Sequence, residues 1–264
     1  MNGREMNGMM AGGMARWAGR GALVVALAVL AGCASSGEMR ERHPDDPWEG
    51  FNRKVFAFND VLDRYALKPL AQGYRFITPD PVETGVGNFF SNLGEIRTTL
   101  NSLLQGKGTN AGVATGRFLI NTTVGIGGLF DVASRMEITG REEDFGQTLG
   151  AWGLGEGAYL VLPLLGPSTV RDTAGLPADM VTYPTTYVED DVVRLSLTAL
   201  RVIDTRAGLL DQEALISGDR YSFIRDAYLQ QRRFEVNDGQ LGEDPFASDE
   251  FDFDDTDFDD AFAE

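Results

Sequence analysis

The stretch PVETGVGNFFSNLGEIRTTLNSLLQG, residues 81–106, decides the fold. At about 100° per residue, Val82, Val86, Phe89, Phe90, Leu93, Ile96, Leu100, Leu103 and Leu104 fall within one arc of about 140°, the apolar stripe of an amphipathic helix. Asn88, Asn92, Glu95, Thr99 and Ser102 form a narrow stripe on the opposite side, and Arg97 lies at the edge of the apolar arc. A helix that faces water usually carries Lys and Glu there. Uncharged Asn, Thr and Ser suit a wet interior or polar headgroups, and an unusual surface stripe is the plainer alternative.

Helical patterning continues on both sides. In GFNRKVFAFNDVLDRYALKPL (50–70), Phe51, Val55, Phe58, Leu62 and Tyr65 recur at helical spacing, which predicts a helix ending before Pro69. Residues 109–123 repeat the pattern, as do 191–210 through Val193, Leu197, Leu200 and Ile203, and 218–235 through Tyr221, Ile224 and Tyr228. Residues 145–170, FGQTLGAWGLGEGAYLVLPLLGPSTV, differ: closely spaced glycines precede an apolar run broken by proline, which predicts irregular chain or a short hairpin. Internal repeats and strand–helix alternation are both missing. The pattern predicts a mainly α fold in one domain.

The N-terminus has a separate job. Arg4, Arg16 and Arg20 precede the apolar segment ALVVALAVLAG (22–32), which is too short to span a bilayer as a helix. It ends in Leu30-Ala31-Gly32-Cys33, which resembles a bacterial lipobox and contains the chain's single cysteine. Residues 1–32 therefore read as a lipoprotein signal peptide, with Cys33 as the lipid-attachment site. An ordinary signal peptide with a chance cysteine is the alternative. One acyl chain holds a protein to a membrane only marginally, whereas several hold it firmly. Ala34 follows the cysteine, and by resemblance to enterobacterial lipoproteins that points to the outer membrane. Residues 33–47 read as a polar linker, 48–237 as the helical domain and 238–264 as an acidic tail rich in Phe.

Charge and composition exclude several functions. The 264-residue chain carries a net charge of −17. Residues 243–264 hold eleven acids and no base, with Phe246, Phe251, Phe253, Phe258 and Phe262 among them. Self-repulsion predicts disorder there, as a solubilising extension or a fold-on-binding hook. The remaining body is also acidic, which argues against nucleic acid and against a polybasic grip on anionic lipid. His43 is the only histidine and falls in the linker, so a Ser-His-Asp or Cys-His site is not expected. His/Cys clusters for zinc or iron and a Walker loop are missing. The G-x-G-x-G at 153–157 lacks the strand–turn–helix context of a dinucleotide site. Glu142, Glu143 and Asp144 read as a solvated acidic loop with at most weak Ca²⁺ affinity. A hydrolase built on a carboxylate pair is not recommended by any feature. These patterns recommend no cofactor and no metal.

Four stretches in co-linear order carry a resemblance: DPWEGFNRKVFAFNDVLDRYALKPLA (46–71), RFLINTTVGIGGLFDVAS (117–134), FGQTLGAWGLGEGAYLVLPLLGPSTVRDTAG (145–175) and RAGLLDQEALISGDRYSFIRDAYLQQR (206–232). Together they resemble the MlaA (VacJ) family of outer-membrane phospholipid-transport lipoproteins, over about residues 45–237. The resemblance implies a ring-like multi-helix domain lying in the plane of a membrane leaflet, with a hairpin loop at a central channel. It also implies a lipid-anchored position on the periplasmic face of the outer membrane. The implied partners are phospholipid, a trimeric porin and a periplasmic lipid carrier of the MlaC type. The implied activity is removal of mislocalised phospholipid from the outer leaflet; a porin-associated structural lipoprotein without transport activity is the alternative. The resemblance also implies a protein that is not an enzyme.

The same resemblance selects site residues. Asn88, Asn92 and Thr99 are candidates to line the headgroup path. NTTVGIGGLFD (121–131) is the candidate channel hinge, through Asn121, Gly125, Gly127 and Gly128. Glycine permits positive φ and a sharp reversal; close packing of two helices is the alternative use. Phe51, Asn52, Phe56, Phe58 and Asn59 match a region of the membrane-embedded ring, or are plain core. Trp48, Tyr65 and Trp152 are expected at the membrane interface.

Overall fold

A computed structural model describes residues 43–240. The expected signal peptide 1–32, Cys33 and most of the tail lie outside the described residues. The chain is mainly helical. Helix α1 (Glu49–Leu62) passes through one π turn (Asp63–Leu67) into α2 (Lys68–Ile77), and α3 (Asp80–Leu104) and α4 (Gly108–Thr123) follow. Short helices α5 (Val132–Arg135) and α6 (Phe145–Ala151) lead to an antiparallel hairpin, β1 (Tyr159–Leu162) and β2 (Gly166–Thr169). Helices α7 (Val170–Thr182), α8 (Asp191–Gly208) and α9 (Arg220–Val236) complete the body.

The packing closes a circuit. Helix α2 lies on α8, α8 on α3, α3 on α6 and α7, α7 on β2; β2 pairs with β1, and β1 returns to α1. Helix α4 is laid along α3. The apolar core is small and sits where α1, the hairpin and α9 meet: Tyr159, Val161, Tyr221 and Leu229, with Val55, Phe56 and Tyr228 against them. Phe56 meets Tyr221 edge-on at 5.5 Å. Among the described residues no helix is long and apolar enough to cross a membrane.

Two stretches of helix depart from the sequence pattern. The first helix does not stop before Pro69. Proline lacks an N–H, but Pro69 stands in the first turn after the π turn, where the hydrogen-bond register has just changed and the lost donor is tolerated. Helix α7 falls in a stretch for which the sequence pattern predicts no helix; Gly175 and Pro177 both lie inside it. A Cβ on Gly175 would stand 2.8 Å from the Gly146 nitrogen of α6, so this glycine serves close helix crossing rather than a turn. The last residues of the expected linker pack onto the body. Asp46 is fully buried, accepts from Asn52 Nδ2 at 2.8 Å and from Tyr221 Oη at 2.5 Å, and its neighbour Asp45 accepts from the Tyr159 N–H. At the other end, Asp238 pairs with Lys107.

Candidate functional site

Helix α3 organises the site, and its burial inverts the usual order. Val82, Leu100, Leu103 and Leu104 are exposed, Leu103 by 59%, while Asn92, Thr98, Asn101 and Ser102 are buried, Ser102 completely. The rest of the molecule repeats the arrangement. Phe76 is 91% exposed, and Ile77, Leu164, Val192 and Leu195 are similarly open. Meanwhile the interior holds Glu143, Gln147, Thr148, Arg171, Asp172, Arg206, Arg225 and Arg232. In water such an arrangement loses on both counts, because apolar surface is hydrated and polar groups are desolvated. Facing hydrocarbon, the apolar side is no longer penalised.

The three candidate path residues have distinct surroundings. Asn92 is buried in the α3–α4 seam and donates to Thr122 Oγ1 at 2.9 Å. Asn88, higher on the same face, donates to the Leu129 carbonyl at 3.1 Å. Thr99 donates to the Glu95 carbonyl at 2.8 Å and stands 3.4 Å from Thr115 Oγ1. The polar stripe thus holds α4 and the segment after it. The small polar residues left open on α3 are Thr84 and Ser91, on the side away from Leu100 and between the α4 and α8 contacts. Sequence reasoning missed them, although Thr84, Gly87, Ser91 and Gly94 recur with helical spacing along one line.

The glycine segment is a tight return clasped to α4. Gly127 N–H donates to the Thr122 carbonyl at 2.9 Å, and Gly128 N–H to the Asn121 carbonyl at 2.8 Å. Ile126, Gly127 and Gly128 all take positive φ. The glycines differ in cause. A Cβ on Gly125 would meet the Phe130 and Asn121 carbonyl oxygens at 2.2 and 2.4 Å, and one on Gly128 would meet Asn92 at 2.7 Å. One on Gly127 would point into open space. Buried Asn121 ties the far end of the return: its Nδ2 donates to Asp131 Oδ1 at 2.9 Å and its Oδ1 accepts from Ala133 N–H at 2.9 Å. Arg117 completes the clasp, donating to Glu95 at 2.5 Å, Asp131 at 3.2 Å and the Ile138 carbonyl at 2.6 Å. Burial alone would raise the Asp131 carboxyl. The Ser134 hydroxyl and N–H, Asn121 and Arg117 outweigh it and hold the group down at about 2. Glu95 goes the other way, because its burial exceeds what Arg117 returns.

The expected ring residues of α1 divide by role. Asn52 is fully buried and donates to the Tyr159 carbonyl at 3.0 Å while accepting from Val161 N–H at 2.9 Å. Asn59, two turns on, does the same for the Leu162 carbonyl at 2.9 Å and the Leu164 N–H at 2.8 Å. The two amides act as an extra strand edge that pins the hairpin to α1. Phe56 is core, Phe51 is half-buried, and Phe58 is exposed in the apolar belt. Trp48, Tyr65 and Trp152 are exposed, and Trp152 Nε1 donates to the Leu104 carbonyl at 3.1 Å.

Ion clusters hold the remaining seams. Arg232 grips Asp144 through two bonds of 2.6 Å and Asp172 through bonds of 2.9 and 3.1 Å. Burial opposes the charge on both carboxylates, and Arg232 more than reverses it, so both sit below their ordinary value. Arg206 forks onto Asp63 in the π turn at 2.7 and 2.9 Å. The acidic loop 142–144 is corrected here. Glu143 is buried against Lys107 and Gln105, and Asp144 is taken by Arg232; only Glu142 is solvated. Among the described residues no cluster of His, Cys, Asp and Glu has metal-binding geometry.

Comparison with known proteins fits this chain as a whole. A family model described as MlaA lipoprotein matches residues 44–235. The intermembrane phospholipid transport system lipoprotein MlaA of Escherichia coli (strain K12) is 39% identical over 227 residues, covering 83% of this chain and 89% of that protein. Its Haemophilus influenzae counterpart is 35% identical over 229 residues, covering 84% and 91%. A solved structure from work on the structural basis for maintenance of bacterial outer membrane lipid asymmetry superposes with a TM-score of 0.64 at 39% identity, covering 73% of this chain and 99% of that one. The chain therefore belongs to the MlaA lipoprotein family.

Proposed function

We propose that this protein removes mislocalised phospholipid from the outer leaflet of the outer membrane and passes it to a periplasmic carrier of the MlaC type. In this reading residues 1–32 are removed and Cys33 carries the lipid anchor. The body lies in the inner leaflet beside a trimeric porin. The carrying observation is the inverted polarity of α3, with Leu103 exposed by 59% and Ser102 fully buried on the adjacent side.

The physics follows from that inversion. A phospholipid headgroup crossing hydrocarbon unassisted meets a desolvation cost of several kcal/mol. A protein lowers this barrier by supplying polar walls for the head while the acyl chains stay among lipid. Exposed Leu100, Leu103 and Leu104 keep company with the chains, and Thr84, Ser91 and Asn88 border the path for the head. The return at 124–130, folded against Asn88 and Asn92, is the element whose position opens or narrows that path. No bond is made or broken in the lipid, so no reacting group is needed.

Deletion of the gene, followed by assay of surface-exposed phospholipid, tests the reading. Surface phospholipid is expected to rise and to fall again on complementation with the intact protein, but not with Cys33→Ala. An unchanged level in the deletion strain overturns transport and leaves a structural lipoprotein.

A further inference from the structure

Asp204 of α8 differs from most inward carboxylates; Asp179, whose Oδ1 accepts from the Phe145 N–H at 3.0 Å, shares its lack of an Arg or Lys within 4.0 Å among the described residues but does not border the open side of α3. Asp46, Asp63, Glu95, Glu143, Asp144 and Asp172 each have an Arg or Lys within 4.0 Å; among the described residues Asp204 has none. Its Oδ1 accepts from Tyr74 Oη of α2 at 2.9 Å. Its Oδ2 is directed at Gly87 of α3, where a Cβ would approach it to only 3.6 Å and would meet no other atom within 4 Å. The carboxylate therefore stands where α2, α3 and α8 meet, with its second oxygen next to the open Thr84–Ser91 side of α3. The other charged group acting on Tyr74 is Glu83, also an acid; the nearby Arg75 is turned to solvent and paired with Asp211. Burial already raises the Asp204 carboxyl, with Tyr74 only partly compensating. A half-buried acid held this way, without a cation, in a protein that faces lipid marks a binding position.

We propose that Asp204, oriented by Tyr74, receives the ammonium group of an amine-bearing phospholipid headgroup, of the phosphatidylethanolamine kind. This deepens the transport reading and rests on it. A primary ammonium supplies the N–H donors and the positive charge that the free Oδ2 lacks, and a charge-assisted hydrogen bond is about twice as strong as a neutral one. A glycerol headgroup offers hydroxyls but no charge. The site thus favours the zwitterionic lipid and leaves anionic lipid to cross on the Thr and Asn side chains alone.

The test uses the deletion strain complemented with the full chain or its variants. Surface lipids are tagged with an impermeant amine reagent for ethanolamine headgroups and a diol-directed oxidant for glycerol headgroups, then extracted and quantified by mass spectrometry. With Asp204→Asn, surface ethanolamine lipid is expected to rise at least threefold over the wild-type complement while glycerol lipid stays level. Asp204→Glu is expected to restore clearance. Equal rises in both lipids, or no rise, overturn the proposal, whether the carboxylate then serves folding or an inorganic cation. If Asp204→Asn does not accumulate, Tyr74→Phe decides in the same way: a selective rise supports the site and an unselective response overturns it. If the intact protein clears neither lipid, the transport reading itself has failed.

Discussion

The return at 124–130 contains a graded experiment in its three glycines. At Gly127 φ is +69° and the space beyond is open, so Gly127→Ala incurs only the left-handed penalty of an L-residue, roughly 1–2 kcal/mol, less about 0.4–1 kcal/mol gained by stiffening the unfolded chain. Ile126 already holds a side chain at φ +54° one residue earlier, so the backbone tolerates this. Gly125 has no such freedom. Its added methyl would lie 2.2 Å from the Phe130 oxygen and 2.4 Å from the Asn121 oxygen, both backbone. Moving them apart strains the bonds from Phe130 N–H to Gly125 and from Gly128 N–H to Asn121. Overpacking of about 1–3 kcal/mol and two weakened bonds near 1 kcal/mol each give roughly 3–5 kcal/mol for Gly125→Ala. Chemical denaturation of the purified proteins in detergent reads both values. Gly125→Ala within about 1 kcal/mol of wild type, or Gly127→Ala as costly as Gly125→Ala, refutes the geometry. If Gly127 is also the point about which the return moves, Gly127→Val raises sensitivity to SDS and EDTA at normal protein level. A defect that tracks lost protein instead supports packing as its whole role.

The remaining predictions test the seams. Asn52→Ala strands the Asp46 carboxylate, the Tyr159 carbonyl and the Val161 N–H in a fully buried site, at roughly 1–3 kcal/mol per group. It should lower the unfolding midpoint well beyond Asn59→Ala, whose partners reach water; equal shifts count against the pinned hairpin. Arg232→Met leaves Asp144 without its cation and Asp172 with Arg171 alone, and should cost about 3–5 kcal/mol by the same assay, whereas the Arg232→Met, Asp144→Asn double variant recovers much of it. Asp131 is held at about 2 against an ordinary 3.8, so its share of stability is complete above about pH 4 and is lost as pH falls towards 2. Hydrogen exchange of the Asn121–Ser134 amides should accelerate over that range, and Asp131→Asn should flatten the dependence.

The helices were legible where one face is continuous. Residues 81–106 announced α3 because its apolar arc is long and unbroken, and helix ends there fell within two residues of expectation. What the pattern does not carry is which face is the inside. Periodicity separates the faces of a helix, and only the surroundings decide that Ser102 is buried and Leu103 open. The glycines of 145–170 misled for a related reason. Gly146 belongs to the glycines that predict irregular chain, yet with Gly175 it lets α6 and α7 touch backbone to backbone. Asp46 and Asp204 were invisible because their meaning depends on partners far along the chain. Asp46 meets Tyr221 and Arg225, whereas Asp204 meets Tyr74 and no cation.

The account rests on the exposed apolar side chains facing lipid while the Thr84–Ser91 side of α3 faces water. Spin labels on single cysteines placed at Phe76, Leu103, Leu164, Thr84 and Ser91, in the lipid-anchored protein in membranes, measure this through collision with oxygen and with a polar nickel complex. The first three positions should favour oxygen, and the last two the nickel complex. Nickel-dominated collisions at Phe76, Leu103 and Leu164, or oxygen-dominated collisions at Thr84 and Ser91, contradict it.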